Sequence, residues 1–228
     1  MPVWREWDLA VDTDAVLRGQ GADPAVVRSR SVDLVLIAKR AIREGSPLIR
    51  PKVLFRRLAL ERVAHERVTL EGGAILQGRL LGQHLAQASE AAVLLCTIGE
   101  DLEQRASETM PCDLAFGLAL DGLGSAAVEA LANAACRRFE DEADLAALQT
   151  SIPLSPGMMG WPVDQGQSQI FSLLKAEEIG VRLSPSWVMF PRKSLSMVLG
   201  IGTMMAEAGK ACDFCALRDT CHYRDHYA

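Results

Sequence analysis

The segment Leu154-Ser155-Pro156-Gly157-Met158-Met159-Gly160-Trp161-Pro162 is the most informative stretch of the chain. Pro156 fixes its own φ and biases Ser155 toward an extended conformation. Gly157 follows and can adopt positive φ, and proline then glycine at the two central positions is typical of a type II turn. We therefore predict that Ser155–Met158 reverses the chain. A glycine at the tip also permits a ligand or a second backbone to approach closely, although an isolated Pro-Gly pair is more often a plain surface loop.

The residues after this bend predict a short helix followed by strands. Asp164 and Gln167 form a capping-box pattern, which predicts a helix N-terminus, and an apolar face follows it. Gly180 is predicted to end a short turn over Lys175–Ile179. Strands are predicted at Val181–Leu183, Trp187–Phe190 and Ser194–Ile201.

The upstream half of the chain is dominated by helical patterns. The predicted helices are a long amphipathic one from Pro24 to Gly45, one at Ile75–Ala88, one at Leu102–Glu108, and a long one over Leu114–Leu148 that three glycines interrupt. Between them, Ala91–Thr97 is a continuous apolar run typical of a buried strand. Lys52–Leu60 carries no decisive pattern, whereas Val68 and Thr69 favour β-structure at Glu66–Leu70.

The composition of the 228 residues excludes several classes of protein. A net charge of −5 argues against a nucleic-acid-binding protein, because such a protein needs a basic face to neutralise phosphates. No uninterrupted apolar run reaches the roughly eighteen residues of a membrane span, and the N-terminus lacks the pattern of a secretory signal. Six cysteines in a chain without a signal are typical of a reducing compartment, and we expect a cytoplasmic protein.

The cysteines near the C-terminus predict a metal site. Cys212 and Cys215 are three residues apart, so one turn can bring both sulfurs to the same metal, and Cys221 follows after a short loop. The preferred interpretation is an iron–sulfur cluster, with a fourth thiolate from Cys96, Cys112 or Cys136 or with one open iron. The alternative is zinc, completed by His222 or His226. We accordingly predict two units, an α+β domain over residues 1–210 and a cysteine-rich metal-binding segment over residues 211–228.

An ordered series of residues across Ser151–Gly200 resembles the activation domain of vitamin B12 (cobalamin)-dependent methionine synthase, and more closely its small free-standing homologues. The series is Ser155-Pro156-Gly157, Trp161-Pro162, Ile170-Phe171-Ser172-Leu173-Leu174, Ile179-Gly180-Val181, Met189 and Pro191-Arg192-Lys193-Ser194-Leu195-Ser196. Weaker similarity extends upstream to Thr97-Ile98-Gly99 and to Gly124–Glu129. The ordered run covers about fifty residues, which makes it more specific than a single turn motif.

The resemblance implies a fold, a function and a site. The fold is α+β, with long helices packed on a bent, mainly antiparallel β-sheet. The function is that of a reactivation or accessory subunit of a cobalamin-dependent methyltransferase, supporting reductive methylation of the corrinoid with S-adenosylmethionine as methyl donor. Cobalamin would be carried by a partner corrinoid protein or methyltransferase, or bound at the pocket. The resemblance assigns no catalytic residue, and the predicted cofactor-binding residues are Ser155, Pro156, Gly157, Met158, Trp161 and Arg192.

The chain departs from the family's ligand motif, which is Arg, three residues, then Gly-Tyr. Gly157 matches the glycine, but Pro153 stands at the arginine position and Met158 at the tyrosine position. An arginine fork would bind the carboxylate of S-adenosylmethionine through paired, charge-assisted hydrogen bonds. Arg182 and Arg192 are the candidate replacements. A second hypothesis is therefore a non-catalytic iron–sulfur or zinc protein that docks on a corrinoid protein and has lost S-adenosylmethionine binding.

Overall fold

The computed structural model describes residues 1–205 and 211–214, and the side chains of residues 211 and 212 are left out. Within these residues the main sheet has seven strands in the order β4-β3-β2-β5-β9-β6, with β1 pairing on β2, and all of its pairings are antiparallel. Its strands are β1 (Val3–Trp4), β2 (Lys52–Ala64), β3 (Arg67–Leu70), β4 (Ala74–Gln77), β5 (Glu90–Thr97), β6 (Gln149–Thr150) and β9 (Ser194–Gly202). A separate hairpin joins β7 (Arg182–Leu183) to β8 (Met189–Phe190).

The sheet is bent because its longest strand serves two sets of partners. The first part of β2 pairs with β5, and its last part pairs with β3. A register shift between Leu60 and Arg62 marks the change of partner, and an irregularity of this kind bends a strand. The predicted bent, mainly antiparallel sheet is confirmed.

The central strand β5 separates two hydrophobic cores. Its side chains alternate, so that Ala92, Leu94 and Cys96 enter one core. Ala91, Val93 and Leu95 enter the other. Alternation of this kind sends successive side chains to opposite faces of a sheet. Both sets are fully buried, which explains why the strand is a continuous apolar run.

Helices cover one face of the sheet, here called the helical face. The α-helices of the described chain are α1 (Thr13–Gly19), α2 (Pro24–Arg30), α3 (Val32–Gly45), α4 (Arg79–His84), α5 (Asp101–Thr109), α6 (Leu114–Leu145) and α7 (Val163–Leu173). Of these, α1, α3 and α5 pack against α6, and α6 packs on β5 and β9. The other side, here called the opposite face, carries α4, α7, a 3₁₀ turn at Ala176–Ile179 and the bend at Ser155–Met158.

The long helix α6 is continuous through its glycines, which are contact points rather than breaks. Asp113 caps its N-terminus by accepting a hydrogen bond from the Phe116 N–H at 3.1 Å. A Cβ on Gly122 would lie 2.7 Å from the Val16 carbonyl oxygen, so glycine there lets α1 approach closely. By length and composition α6 could span a membrane, but 61 % of its most apolar window is buried inside the fold, where a core helix lies.

Three of the predicted helix boundaries are wrong. The helix predicted from Pro24 to Gly45 is interrupted at Ser31, which has φ −149° and ψ 100° and caps α3 through its hydroxyl. The helix predicted over Ile75–Ala88 begins only at Arg79, because the residues before it pair with β3. The helix predicted to start at Asp164 starts at Val163 with Pro162 as N-cap and without a side-chain cap.

Candidate functional site

The bend at Ser155–Met158 forms as predicted. Gly157 has φ +100°, and the Met158 N–H donates to the Ser155 carbonyl at 3.2 Å, which closes the reversal. Leu154, just before it, exchanges two backbone hydrogen bonds of 2.8 and 2.9 Å with Val198 of β9. These bonds fix the bend on the opposite face of the sheet.

The backbone donors of the bend are used by the protein itself. The Ser155 N–H donates to the Met158 sulfur at 3.1 Å. The Gly157 N–H donates to the Trp161 carbonyl at 2.8 Å, and the Trp161 N–H donates to the Met158 carbonyl at 3.0 Å. The Met159 N–H donates to the Phe214 carbonyl at 3.0 Å. In this conformation these four N–H groups are occupied and do not offer hydrogen bonds to a ligand.

Trp161 anchors the bend to the core. Its side chain is fully buried, and its indole N–H donates to the Gln169 amide oxygen at 3.1 Å. Two glycines make room for it, since a Cβ on Gly78 would lie 2.9 Å from its ring, as would a Cβ on Gly166. The predicted role of Trp161 in the pocket stays a prediction; the contacts described here are those of a packed core residue.

Arg79 contacts Gly160, two residues after the bend, and sequence reasoning missed this contact. The Arg79 N–H at the start of α4 donates to the Gly160 carbonyl at 2.9 Å. A Cβ on Gly160 would lie 2.7 Å from the Arg79 Cβ. The Arg79 side chain is exposed. Its approach to the bend depends on tertiary packing between residues 79 and 160, and the local sequence carries no signal of it.

Arg192 belongs to a different part of the structure. Its backbone N–H donates to the Glu103 carboxylate of α5 at 2.8 Å, and its side chain is 71 % exposed. Lys193 donates to Ser125 at 2.9 Å and pairs with Asp121 at 2.8 Å. Arg192 and Lys193 therefore anchor the start of β9 to α5 and α6. No contact between Arg192 and the bend is seen in the described residues.

An open cleft of about 370 Å³ lies beside this anchor. One wall is α5, and the other is the β7–β8 hairpin with the residues on either side of it. The lining residues are Glu100, Glu103, Gln104, Ser107, Gly180, Arg182, Phe190 and Pro191. The Arg182 guanidinium carbon lies 4.5 Å from the centre of the Phe190 ring, within the range of a cation–π contact. The cleft brings opposite charges and an aromatic ring into one concave surface.

The cleft was missed because its walls are about eighty residues apart in the sequence. The signal for one wall is the weak resemblance at Thr97-Ile98-Gly99, immediately before α5. The signal for the other is Arg182, which the sequence offers as a replacement for the missing arginine. The structure places Arg182 here and not at the bend.

The predicted metal ligands fall at the edge of what the structure describes. Cys215, Cys221 and the side chain of Cys212 lie outside the described residues. Within residues 1–205 and 211–214, no three His, Cys, Asp or Glu side chains lie close enough together to hold a metal ion. The predicted metal site stays a prediction.

Of the three other cysteines, two are core residues. Cys96 and Cys136 are buried under the helical face, and burial raises the pKa of both thiols, that of Cys136 to about 12. A neutral thiol in an apolar core is a poor metal ligand, because the thiolate is the form that ligates. Cys112 is exposed and is the better candidate for a fourth ligand among the three.

Comparison with solved structures identifies the fold. The chain matches a crystal structure described as the MetH reactivation domain bound to AdoHcy, with a TM-score of 0.66 and 13 % sequence identity. The match covers 94 % of this chain and 83 % of that one. No protein-family model and no curated protein matches the chain. At this identity the likeness shows the fold, so the α+β fold implied by the sequence resemblance is confirmed.

Proposed function

We propose that this chain is an accessory subunit of a cobalamin-dependent, methionine synthase-like methyltransferase and supports reductive methylation of its corrinoid. The observation that carries the proposal is the fold it shares with the MetH reactivation domain over 94 % of its length. The ordered resemblance across Ser151–Gly200 supports it independently. The proposed partner is a corrinoid protein or the methyltransferase itself, which carries the cobalamin, and the proposed location is the cytoplasm.

The bend does not fit an S-adenosyl ligand in the way the family motif implies. Pro153 stands where an arginine would bind the ligand carboxylate, and the Met158 sulfur accepts a hydrogen bond from within the bend. Four backbone donors around it are already bonded. We therefore derive no catalytic step from the bend. Its proposed contribution is an apolar wall, because Met158 is half-buried and Met159 is exposed.

The closed bend favours a second candidate, a docking protein that has lost S-adenosylmethionine. In that case Cys212, Cys215 and Cys221 hold an iron–sulfur cluster, or zinc as the alternative, in the segment 211–228. A cluster would supply one-electron transfer. The support for this candidate is the spacing of the three cysteines and the contact between Met159 and Phe214, which brings the described part of that segment to the bend.

Calorimetry on the purified chain distinguishes the two candidates. Binding of AdoHcy and S-adenosylmethionine with a Kd of about 1–100 µM supports the first, and no heat at about 1 mM ligand supports the second. Restored methylation of an oxidised corrinoid partner by the chain, S-adenosylmethionine and a low-potential one-electron donor tests the accessory role directly. Failure in that assay, with a partner that binds the chain, contradicts the first candidate.

Metal analysis of anaerobically purified protein tests the cysteine segment. Bound iron with a visible charge-transfer absorption supports a cluster, and bound zinc supports the alternative. Cys212→Ser should release the metal, whereas Cys136→Ala, which changes a buried core thiol, should retain it. Equal metal content in the wild type and the Cys212→Ser variant contradicts this assignment.

A further inference from the structure

We propose that the cleft between α5 and the β7–β8 hairpin is a binding site for the zwitterionic group of an α-amino acid. An α-amino acid carries a carboxylate and an ammonium on one carbon, next to a side chain. A matching site needs a cation, an anion and an apolar surface within one small concavity. The cleft presents Arg182, Glu100 and Phe190 in this arrangement.

Arg182 supplies a guanidinium that is free for a carboxylate. Its side chain is exposed and stacks on the Phe190 ring, and within the described residues it has no ion pair. Stacking holds the planar fork at the cleft wall and leaves its N–H edge available. Paired N–H···O bonds from arginine to a carboxylate are among the strong hydrogen bonds of proteins.

Glu100 supplies a carboxylate for the ammonium. It is exposed at the start of α5 and, in the part of the chain that the structure describes, its side chain has no hydrogen bond or ion pair. Glu100 and Arg182 line the same cleft, yet they are not within ion-pair distance of each other. Two opposite charges that face one cavity without pairing leave room for a ligand that bridges them.

Glu103 and Pro191 line the cleft together with these charges. Glu103 is held by the Arg192 N–H at 2.8 Å, which ties α5 to the residues that follow the hairpin. Phe190 and Pro191 give the cleft an apolar surface for the amino-acid side chain. A thioether side chain suits this surface, because sulfur makes favourable contacts with aromatic rings. L-Methionine is therefore the probe of choice.

The inference does not depend on the proposed function, because the site is complete within this chain. It bears on that function in one respect. AdoHcy carries the same amino-acid group, so the cleft offers a carboxylate contact in a chain that lacks the arginine of the family motif.

The experiment is a titration of the full chain with L-methionine and two analogues, followed by calorimetry or by NMR. L-Methioninol lacks the carboxylate, and 4-(methylthio)butanoate lacks the ammonium. We expect L-methionine to bind and each analogue to bind at least about tenfold more weakly, equivalent to about 1.4 kcal/mol. No binding of L-methionine at about 10 mM, or equal binding of all three compounds, overturns the proposal.

Variants locate the binding site. Arg182→Ala and Glu100→Gln should each weaken L-methionine binding about tenfold or more, while Arg79→Ala should leave it unchanged. Arg79 is the matched control, because it is also exposed but contacts Gly160 beside the bend and does not line the cleft. All three side chains are exposed, so the thermal unfolding midpoint should stay near that of the wild type and confirm folding. Loss of binding in Arg79→Ala with retention in Arg182→Ala would place the ligand at the bend and overturn the proposal.

Discussion

The two faces of the central sheet are covered in different ways and bury different chemistry. Under the helical face, β5 and β9 present Ala92, Leu94, Met197 and Leu199, together with the thiol of Cys96. On the opposite face the same two strands present a buried polar column of Thr97, Ser194 and Ser196, which continues into Gln167 of α7. The helical face is an apolar packing surface, whereas the opposite face combines apolar packing with buried hydrogen bonds.

The difference follows from what covers each face. A long helix such as α6 satisfies its backbone groups internally, so the helical face needs only matching shapes. The opposite face is covered by short helices, a 3₁₀ turn and the bend, whose polar groups need partners from outside. A ligand-binding surface can evolve more readily on the opposite face, because loops on a rigid sheet can change without disturbing the helical core.

Replacing Trp161 tests whether the opposite face is packed as tightly as the helical face. Trp161→Ala should lower the free energy of unfolding by about 3–5 kcal/mol, because it removes a fully buried ring. Phe139→Ala, its counterpart under the helical face, should cost about the same. Urea denaturation of both variants gives the comparison. A loss below about 1 kcal/mol for Trp161→Ala would mean that the bend is only loosely attached.

Raising the pH should weaken the helical face through its two buried thiols. Burial raises the pKa of Cys96 and of Cys136 above the ordinary value of 9.0, so the folded state keeps both thiols protonated. Their contribution to stability is complete below pH 9 and is lost as the pH rises toward 12, because the unfolded chain ionises first. At pH 10 the loss is about 1.4 kcal/mol per thiol, or about 3 kcal/mol for both.

The measurement compares the wild type with a Cys96→Ala/Cys136→Ala variant in urea at pH 7.5 and pH 10. The variant starts less stable but should lose less stability between the two pH values. Equal losses of unfolding free energy in the two proteins would show that these thiols do not cause the loss of stability at high pH.

Removing one partner of a hydrogen bond in the polar column should cost more stability than removing both partners. The Ser196 hydroxyl donates to the Gln167 amide oxygen at 3.0 Å, and both side chains are buried. Ser196→Ala leaves that oxygen without its partner and should cost about 1–3 kcal/mol. Adding Gln167→Leu should recover part of the loss, because neither polar group then remains. Ser172→Ala, an exposed serine on the same helix, should change stability by less than about 0.5 kcal/mol. A double variant that loses the sum of its single losses would contradict this account.

The sequence predicted the sheet better than it predicted what surrounds it. The strands at Ala91–Thr97 and Ser194–Ile201 are confirmed, because the first is a continuous apolar run and the second alternates between polar and apolar residues at its start. The helix boundary near Ser31 was wrong because a local serine cap was not recognised, whereas the boundary near Gly78 involves a tertiary contact. Gly78 makes room for Trp161, which is more than eighty residues away, and such a contact leaves no local pattern.

One part of the candidate site was predictable from local sequence, and the other part was not. The bend was predictable, since the geometry of a proline–glycine turn is local. The cleft was not, because it forms only when the sheet brings residues 100–107 against residues 180–191. The capping-box prediction failed for a related reason. Gln167, which the pattern assigns to the helix terminus, instead accepts a buried hydrogen bond from Ser196 of β9.

The smallest predicted loss of stability is for a substitution at Lys193, immediately before β9. Side chains alternate from Lys193, immediately before β9, into the strand, so Lys193 points to α6 under the helical face and Ser194 points to Thr97 on the opposite face. The Lys193 ammonium pairs with Asp121 at 2.8 Å and its side chain is 15 % exposed, with its stem against Gly124. Lys193→Met keeps the stem and loses the ion pair, which should cost about 1 kcal/mol, whereas Arg192→Met next to it should cost less than about 0.5 kcal/mol. Thermal unfolding of both variants measures the difference. A larger loss for Arg192→Met would mean that the exposed contact with α5, and not the largely buried lysine, joins β9 to the helices.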